Sequence, residues 1–415
     1  MYLILRYTNL LYLILCIIWL PLQVYYLHVD GAGRTLLLGS LFVLFANFPY
    51  FSQVNSIYRS RAFLCWAIII FFSMINTLVK GYVSEWGSLA FYQTNYIVPF
   101  TFLLILNLEL DRDFDNCLKV IFSALCLYVF IGLLNFSGDD TGRFEAEELG
   151  NLLPLNAVCL IFVSCLRYIH QRISLFTIII IFGLCLMIII LSGTRKALGA
   201  SVILLLGFLI TTTGEKKSLP YIHLIIFASL LYLGLTFIME NTVIGERLLT
   251  GSEQSDVTVS ENKVLNWIVK TMLGDRATQY QLALLILPMS PITGIGIMNF
   301  MKVSGFHQRL HSEYMVQLCE NGIIGFSLLL LFYYWLFNAL MRQKKLHGIS
   351  ITMPFFGLLA ILFLNFTAWS YCTTFGMIFY GIILSYAYTD NPFICGIEDE
   401  EDSSEAEPLE KNFIL

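Results

Sequence analysis

The sequence is poor in charge and contains no motif for metal or disulfide chemistry. Asp, Glu, Lys and Arg make up 13% of its 415 residues, about half of the roughly 25% found in an average soluble domain. Its ten cysteines are scattered without a C-x-x-C pair, so they are typical of small buried residues rather than of a disulfide framework or a zinc site. We expect no metal ion, no other cofactor and no nucleic-acid partner.

Long apolar runs dominate the sequence, and 58% of its residues are hydrophobic. A helix that crosses a bilayer needs roughly 20 mostly apolar residues, and about twelve runs approach that length. The first run has no small-residue cleavage site, so we interpret it as a retained helix rather than a signal peptide. The runs lie near residues 3–27, 35–53, 61–79, 88–108, 117–136, 150–168, 173–193, 197–213, 219–239, 312–340, 350–369 and 371–389.

This pattern predicts an all-α polytopic membrane protein with about twelve transmembrane helices. Residues 1–239 hold the first nine, residues 240–311 form one large loop that contains helices, and residues 312–389 hold the last three. Residues 390–415 form an acidic tail that we expect to be disordered. In the short loops, twelve Lys and Arg residues lie on the side of the N terminus and five on the other side. This asymmetry predicts that both termini are cytoplasmic and that the large loop faces outward.

Two adjacent cations interrupt the apolar sequence at "IIILSGTRKALGASVILLL", where burying a charge is unfavourable. Lys196 is explained most simply as a side chain that extends to the lipid headgroups. Arg195 follows the small, flexible "SGT", and its planar guanidinium matches the geometry of phosphate oxygens. Arg195 is therefore a candidate for binding phosphate at the outer face.

The large loop contains "SENKVLNWIVKTMLGDRATQYQLALLILPMSPITGIG", which predicts an amphipathic helix from Ser260 to about Leu287, ended by prolines. Arg276 falls on the apolar face of this helix, between Met272 and Tyr280. A cation that points inward requires an anionic partner. That partner is either a structural carboxylate or a ligand, and both interpretations remain open at this point.

The loop leads into the tenth run through "HQRLHSEYMVQLCENGIIGF". His311 stands at the mouth of a helix, either as an ordinary interfacial histidine or as a group that transfers protons near neutral pH. Glu320 is a secondary candidate that lies about half a helical turn out of phase with His311. Gly322 and Gly325 predict close helix packing. Arg143, in "GRFEAEELGNLLPLNAV", is a further cation near membrane depth, and ion pairing with its neighbouring glutamates is the simpler interpretation.

Taken in order, these segments resemble the bacterial family of O-antigen polymerases and O-antigen ligases. The family's S-G-[ST]-R pattern is matched by "SGTR", and its arginine, helix, proline and G-x-G segment by Arg276 and "LPMSPITGIG". Its H-[NS]-x-x and E-x-G-x-x-G ending is matched by "HSEYMVQLCENGIIG". The resemblance covers most of the chain, and its specific motifs fill residues 143–325. Arg143 stays secondary because the glycine of the family's R-x-x-G stretch is displaced here.

The resemblance implies a metal-independent glycosyltransferase of the bacterial inner membrane that acts at the periplasmic face in lipopolysaccharide or other surface polysaccharide biosynthesis. The donor would be a glycan on undecaprenyl pyrophosphate. Carried over to this chain, the family's roles make Arg195 and Arg276 the pyrophosphate-binding residues and His311 the catalytic base, with Lys196 and Glu320 secondary. A chain-length regulator and a flippase of the same pathway are further implied partners.

Within the resemblance, the acceptor distinguishes two activities. A polymerase transfers the glycan to a second lipid-linked repeat unit, whereas a ligase transfers it to the lipid A core. The "GTRKAL" and "HSEYMVQLCENGIIGF" segments favour the polymerase. A transporter or flippase of lipid-linked oligosaccharide is the alternative from another class, but transporters place their polar sites at mid-membrane on broken helices. Here the candidate residues are expected to cluster on one face.

Overall fold

The structure is a computed structural model, and the part of the chain that it describes is almost entirely helical. That part comprises residues 2–22, 32–80, 96–138, 144–146, 152–192, 194–214, 276–297, 299–306, 310–347, 351–368, 370–371 and 373–389. Arg143, the predicted ninth run and the acidic tail lie outside it, and so does the predicted loop helix up to residue 275.

The helices of the first half, in chain order, are α1 (Tyr2–Leu22), α2 (Ala32–Asn47), α3 (Asn55–Tyr58), α4 (Arg61–Lys80), α5 (Val98–Arg112), α6 (Phe114–Leu134), α7 (Leu152–Ile169), α8 (Leu175–Leu191) and α9 (Arg195–Gly214). Those of the second half are α10 (Arg276–Ile286), α11 (Phe300–Ser304), α12 (Glu313–Glu320), α13 (Gly322–His347), α14 (Thr352–Leu364) and α15 (Thr374–Tyr388). Short 3-10 turns occupy Phe48–Val54 and Leu287–Met289. The strands β1 (Phe136–Gly138) and β2 (Phe144–Ala146) form an antiparallel hairpin that the sequence did not predict.

Five helices in the described part are long and apolar enough to cross a membrane. They are Arg61–Lys80, Phe114–Leu134, Leu152–Ile169, Arg195–Thr212 and Gly322–Leu346. Shorter apolar helices of 10–17 residues accompany them. A helix overlaps each predicted run that lies in the described part. The protein thus has the character of a helical membrane protein, while the count of about twelve spans stays a prediction.

Short polar residues begin several helices by accepting a backbone N–H bond from the first turn. Asp113 caps α6, Ser174 caps α8, Ser312 caps α12 and Thr373 caps α15. Such caps satisfy donors that a helix leaves without an intrahelical partner. They explain why these four helices begin where they do.

The predicted tenth run, 312–340, is not one helix. The structure divides it into α12 and α13 at Asn321, because Gly322 has a φ of +66°, a left-handed conformation that interrupts an α-helix. The span that begins at Gly322 therefore starts ten positions later than the sequence predicted, and His311 precedes a separate short helix rather than the span itself.

The core lies around three helices that are buried along most of their length. In α7 every residue from Leu153 to Arg167 is buried, and in α15 every residue from Phe375 to Ala387. The rings of Phe162 and Phe379 stack at 4.6 Å where these two helices meet. The third is α5, which packs along α15.

Side-chain contacts define two opposite ends of the bundle. Two contacts show that helices α4 and α13 run antiparallel. Just before α13 begins, Asn321 donates to Ser73 in the second half of α4 across 2.6 Å. Farther along α13, the ring centre of Trp335 lies 4.4 Å from the guanidinium of Arg61 at the start of α4. We call these the Lys80 end and the Arg61 end, after the last and first residues of α4. The Arg61 end also holds the pairs Arg6–Asp113, Arg172–Asp115 and His170–Tyr386.

Candidate functional site

The predicted site segments meet at the connection between α14 and α15, which we call the link (residues 365–373, of which 369 and 372 lie outside the described part). With 13 and 15 residues, each flanking helix is roughly 20 Å long, shorter than the hydrocarbon core of a bilayer. The described residues of the link include three that are fully buried in the protein: Asn365, Ser370 and Tyr371 are each 0% exposed. Trp66, inside α4, donates to the carbonyl of Tyr371 across 3.3 Å. Buried irregular backbone needs protein partners for its polar groups.

Carbonyl groups of the link accept hydrogen bonds from three segments that are far apart in sequence. Lys196, beside Arg195, donates from Nζ to the carbonyl of Thr367 across 3.1 Å. Tyr280, one helical turn after Arg276, donates from its hydroxyl to the carbonyl of Phe366. The backbone N–H of Glu313 donates to the carbonyl of Asn365 across 2.9 Å and to that of Ala368 across 3.1 Å. The "SGTR", loop-helix and "HSE" segments are thus brought to one stretch of backbone.

The individual candidates occupy distinct places around the link. Arg195 is the first residue of α9 and is partly exposed, and His311 is partly exposed two positions before α12. Arg276 is the first residue of α10, and its side chain lies outside the described part. The structure therefore brings together the segments that carry these residues. A shared pyrophosphate site for the two guanidinium groups stays a prediction.

Glu320 lies away from His311. It ends α12, so that about 12 Å of helix axis separates it from Ser312 at the other end. Its backbone carbonyl accepts a bond of 3.1 Å from Asn76 Nδ2 and one of 2.8 Å from the N–H of Gly296. This carbonyl joins α12 to α4 and to the G-x-G loop, which is a structural contact at the Lys80 end.

The glycines of the G-x-G motif form an interlocked contact with the end of α12. Gly294 and Gly296 have φ values of +69° and +89°, and a side chain at Gly294 would place its Cβ 2.3 Å from the carbonyl carbon of Glu320. Gly322 is equally constrained, because its Cβ would lie 2.4 Å from the carbonyl oxygen of Ile292. Close packing at Gly322 was predicted from the sequence, but its partner is this loop and not another helix.

The sequence reasoning missed Glu313, which is fully buried and touches the link directly. Its Oε2 accepts the backbone N–H of Ser370 across 2.9 Å and that of Tyr371 across 3.1 Å, while its Oε1 accepts Gln317 Nε2 across 3.0 Å. Burial raises the pKa of Glu313 to about 7, although these three hydrogen bonds oppose the shift. A signal was available: Glu313, Gln317 and Asn321 recur at four-residue intervals, which places them on one face of a helix.

Polar contacts continue from Glu313 on both sides. Asn321 Nδ2 donates to Gln317 Oε1 across 2.8 Å, extending the row toward α4. Inside the link, Ser370 donates to Asn365 Oδ1 across 2.6 Å, and its hydroxyl lies 2.6 Å from that of Tyr380. The link is therefore held by a connected set of buried polar groups. Such a network is favourable only when its members are satisfied, and it then rigidifies the site.

The first turn of α9 offers cations for an anionic ligand. Arg195 and Lys196 lie at the N terminus of α9, where the helix dipole also favours negative charge. Within the described residues, the Cys, His, Asp and Glu side chains form no cluster of three or more suited to a metal ion. Cations at a helix N terminus are suited to an anionic group such as phosphate.

A scan against protein-family models found no match for this chain, and a search of curated proteins found no match either. The resemblance to O-antigen polymerases and ligases therefore depends on the motifs quoted above. The placement of those motifs in the fold is independent information.

Proposed function

We propose that this protein is a membrane-embedded, metal-independent glycosyltransferase that polymerises a surface polysaccharide. It transfers a growing glycan from undecaprenyl pyrophosphate to a lipid-linked repeat unit at the periplasmic face of the inner membrane. Arg195 and Arg276 bind the pyrophosphate of the donor, and His311 is the base for the acceptor hydroxyl. Both termini lie in the cytoplasm.

The observation that carries the proposal is that the link accepts hydrogen bonds from the three motif segments. Lys196 and Tyr280 bring the beginnings of α9 and α10 to the link. Glu313 brings the turn that contains His311 to the same place. Residues that act on one substrate must share one site, and the chain segments of Arg195, Arg276 and His311 contact the same stretch of buried backbone.

The chemistry needs only these groups. The acceptor hydroxyl oxygen attacks the anomeric carbon of the donor and loses its proton to the imidazole of His311. The bond from the anomeric carbon to the pyrophosphate oxygen breaks, and its electron pair leaves with the pyrophosphate. Guanidinium groups that meet this developing negative charge lower the barrier, because each offers paired donors to phosphate oxygens.

The test is glycan transfer by the purified full chain in proteoliposomes that contain lipid-linked repeat units. We expect longer glycans with the wild type and none with Arg195→Ala or His311→Ala. Arg172→Ala is the control, because it removes an exposed arginine at the Arg61 end, and it should extend glycan normally. Equal activity of all variants would contradict the proposal.

The same vesicles distinguish the alternatives. Transfer to an added lipid A core, with no extension of the repeat unit, would identify a ligase. Movement of the lipid-linked oligosaccharide between leaflets without any new glycosidic bond would identify a transporter. In cells, loss of a polymerase leaves a single repeat unit on the lipid A core, whereas loss of a ligase leaves a bare core.

A further inference from the structure

Glu313 is a buried carboxylate that the proposed chemistry does not use. It lies two positions after His311, and its side chain reaches two consecutive backbone N–H groups of the link, those of Ser370 and Tyr371. A carboxylate without a counter-ion is costly to bury. None of the described residues forms an ion pair with it, so the contact with the link is not explained by charge neutralisation.

The hydrogen bonds around Glu313 all point toward its carboxylate. Two backbone N–H groups and the amide of Gln317 donate to it. Gln317 cannot readily reverse its amide, because its own oxygen accepts Asn321 Nδ2. The arrangement therefore suits the ionised form. The proton of a neutral carboxyl group would face N–H donors and would find no acceptor among them.

Phenols on neighbouring elements couple electrostatically to Glu313, and Lys196 donates to Thr367 of the same link. Tyr333 on α13 and Tyr380 on α15 are bonded to each other at 2.8 Å, and Tyr371 lies in the link. Phenols are neutral at pH 7. His311 and Tyr314 are the titratable groups beside Glu313 in its own segment. The charge state of Glu313 is thus set by burial and by the amides that donate to it.

We propose that Glu313 is a positioning residue for His311, and that its carboxylate fastens the turn carrying the imidazole to the backbone N–H groups of Ser370 and Tyr371. The catalytic importance of this contact rests on the proposed function, whereas the contact between the carboxylate and the link does not. The turn is short: His311 is followed by Ser312, which caps α12 and donates from Oγ to the carbonyl of Asn365 across 3.2 Å. Loss of the carboxylate contact removes the bonds to Ser370 and Tyr371 and so lets the turn shift, while the bonds of Ser312 keep the start of α12 folded.

The variant Glu313→Gln disrupts the hydrogen bonds of this carboxylate at nearly constant volume. An amide has one oxygen, so its NH₂ group must face either the link N–H groups or Gln317 Nε2. We expect kcat to fall at least tenfold while KM for the donor changes less than threefold, because Arg195 is untouched. A role in overall stability alone would reduce the amount of folded protein and leave kcat per folded molecule unchanged.

Protonation of Glu313 should have the same effect as the substitution. Because the pKa of Glu313 is raised to about 7, the contact is strongest in mild alkali, where both oxygens are charged acceptors, and is weaker in mild acid, where the carboxyl carries a proton. His311 labelling by diethyl pyrocarbonate, read by mass spectrometry, reports this. His170 is an internal reference, since burial lowers its pKa to about 4 and it stays neutral throughout.

The experiment compares His311 labelling in Glu313→Gln and in the wild type, each normalised to His170, in full-length protein in lipid nanodiscs. Dividing the labelling of the variant by that of the wild type at the same pH removes the effect of imidazole ionisation that both proteins share. We expect the ratio to change severalfold at about pH 8 and to approach one at about pH 5.5, where wild-type Glu313 is protonated. Glu109→Gln is the matched control: it alters a buried carboxylate at the Arg61 end, and its ratio should be one throughout.

A ratio of one at about pH 8 for folded Glu313→Gln overturns the proposal. If the variant does not fold, the pH dependence of His311 labelling in the wild type tests the proposal. The labelling must then show two ionisations, one of the imidazole and one of Glu313, and a profile with a single ionisation overturns the proposal. If the wild type transfers no glycan while the labelling behaves as expected, the proposed function fails and the positioning role stands. If the wild type transfers glycan while the labelling ratio stays at one, the positioning role fails and the proposed function stands.

Discussion

Lys196 Nζ donates to the backbone carbonyl of Thr367 across 3.1 Å and so joins the first turn of α9 to the link. The sequence explained this lysine most simply as a side chain that extends to the headgroups. The structure gives it a protein partner, and the bond connects the segment of Arg195 to the link, which also contacts the segment of His311. Lys196 is thus part of the framework of the site.

Lys196→Met should destabilise the protein. The substitution keeps most of the aliphatic length and removes a hydrogen bond from a charged donor, which is worth about 1.5–3 kcal/mol. The control is Lys345→Met, since Lys345 is exposed at the other end of the bundle and should have little effect. Thermal unfolding in detergent measures both. If the two variants unfold at the same temperature, the bond to Thr367 contributes nothing.

Arg195→Lys should weaken the binding of undecaprenyl pyrophosphate even though it preserves the charge. A guanidinium presents paired N–H donors to phosphate oxygens, whereas an ammonium acts as a point charge. We expect the dissociation constant to rise about tenfold, which corresponds to about 1.4 kcal/mol. Titration of the lipid into protein in nanodiscs measures it. Affinity equal to that of the wild type would show that Arg195 provides only charge at the surface.

Much of the helical framework could be predicted from the sequence, because an apolar run in a bilayer has to satisfy its backbone internally. Arg61–Lys80 and Phe114–Leu134 therefore follow the predicted runs closely. The break at Gly322 was missed for a different reason. A glycine after a polar residue is a typical helix end, but within an apolar run the hydropathy signal conceals it.

The site could be predicted only in part. The motifs identified the segments of Arg195 and His311, since unusual cations and histidines stand out in an apolar sequence. Glu313 and the link did not stand out, because their importance comes from tertiary contacts. Nothing in the sequence near Ser370 indicates that its N–H group meets a carboxylate from another helix.

Three glycine-to-alanine variants should destabilise the protein in a fixed order. Gly183→Ala should be close to neutral, because its φ is not positive and no atom lies within 4 Å of the added Cβ. Gly305→Ala has open space but a φ of +68°, and a left-handed alanine costs roughly 1–2 kcal/mol. Gly294→Ala combines a positive φ with a Cβ only 2.3 Å from the backbone of Glu320, so it should be the most destabilising.

The yield of folded protein and the unfolding temperature measure this series. Gly294→Ala should also lower glycan transfer, because the displaced loop moves the end of α12. If Gly305→Ala proves as damaging as Gly294→Ala, the close approach of the loop to Glu320 is not what constrains the motif.

His170 should make the folded protein sensitive to acid. Its Nε2 lies 2.7 Å from the hydroxyl of Tyr386, and burial lowers its pKa from 6.5 to about 4. Between these two pKa values His170 is protonated in the unfolded chain but neutral in the folded protein. The free energy of unfolding therefore falls as the pH drops from 6.5 to about 4. The effect of Glu313 on stability has the opposite sign. Its pKa is raised from 4.5 to about 7, so the free energy of unfolding falls as the pH rises between these values.

His170→Gln separates the two effects, since glutamine keeps a polar side chain but does not titrate. Its unfolding temperature should decline less than that of the wild type between pH 6.5 and about 4, the interval over which His170 resists protonation. Glycan transfer should be unchanged in the neutral range, because His170 lies at the Arg61 end, away from the link. An acid sensitivity identical to that of the wild type would mean that other groups cause it, and that His170 accepts a proton in the folded protein.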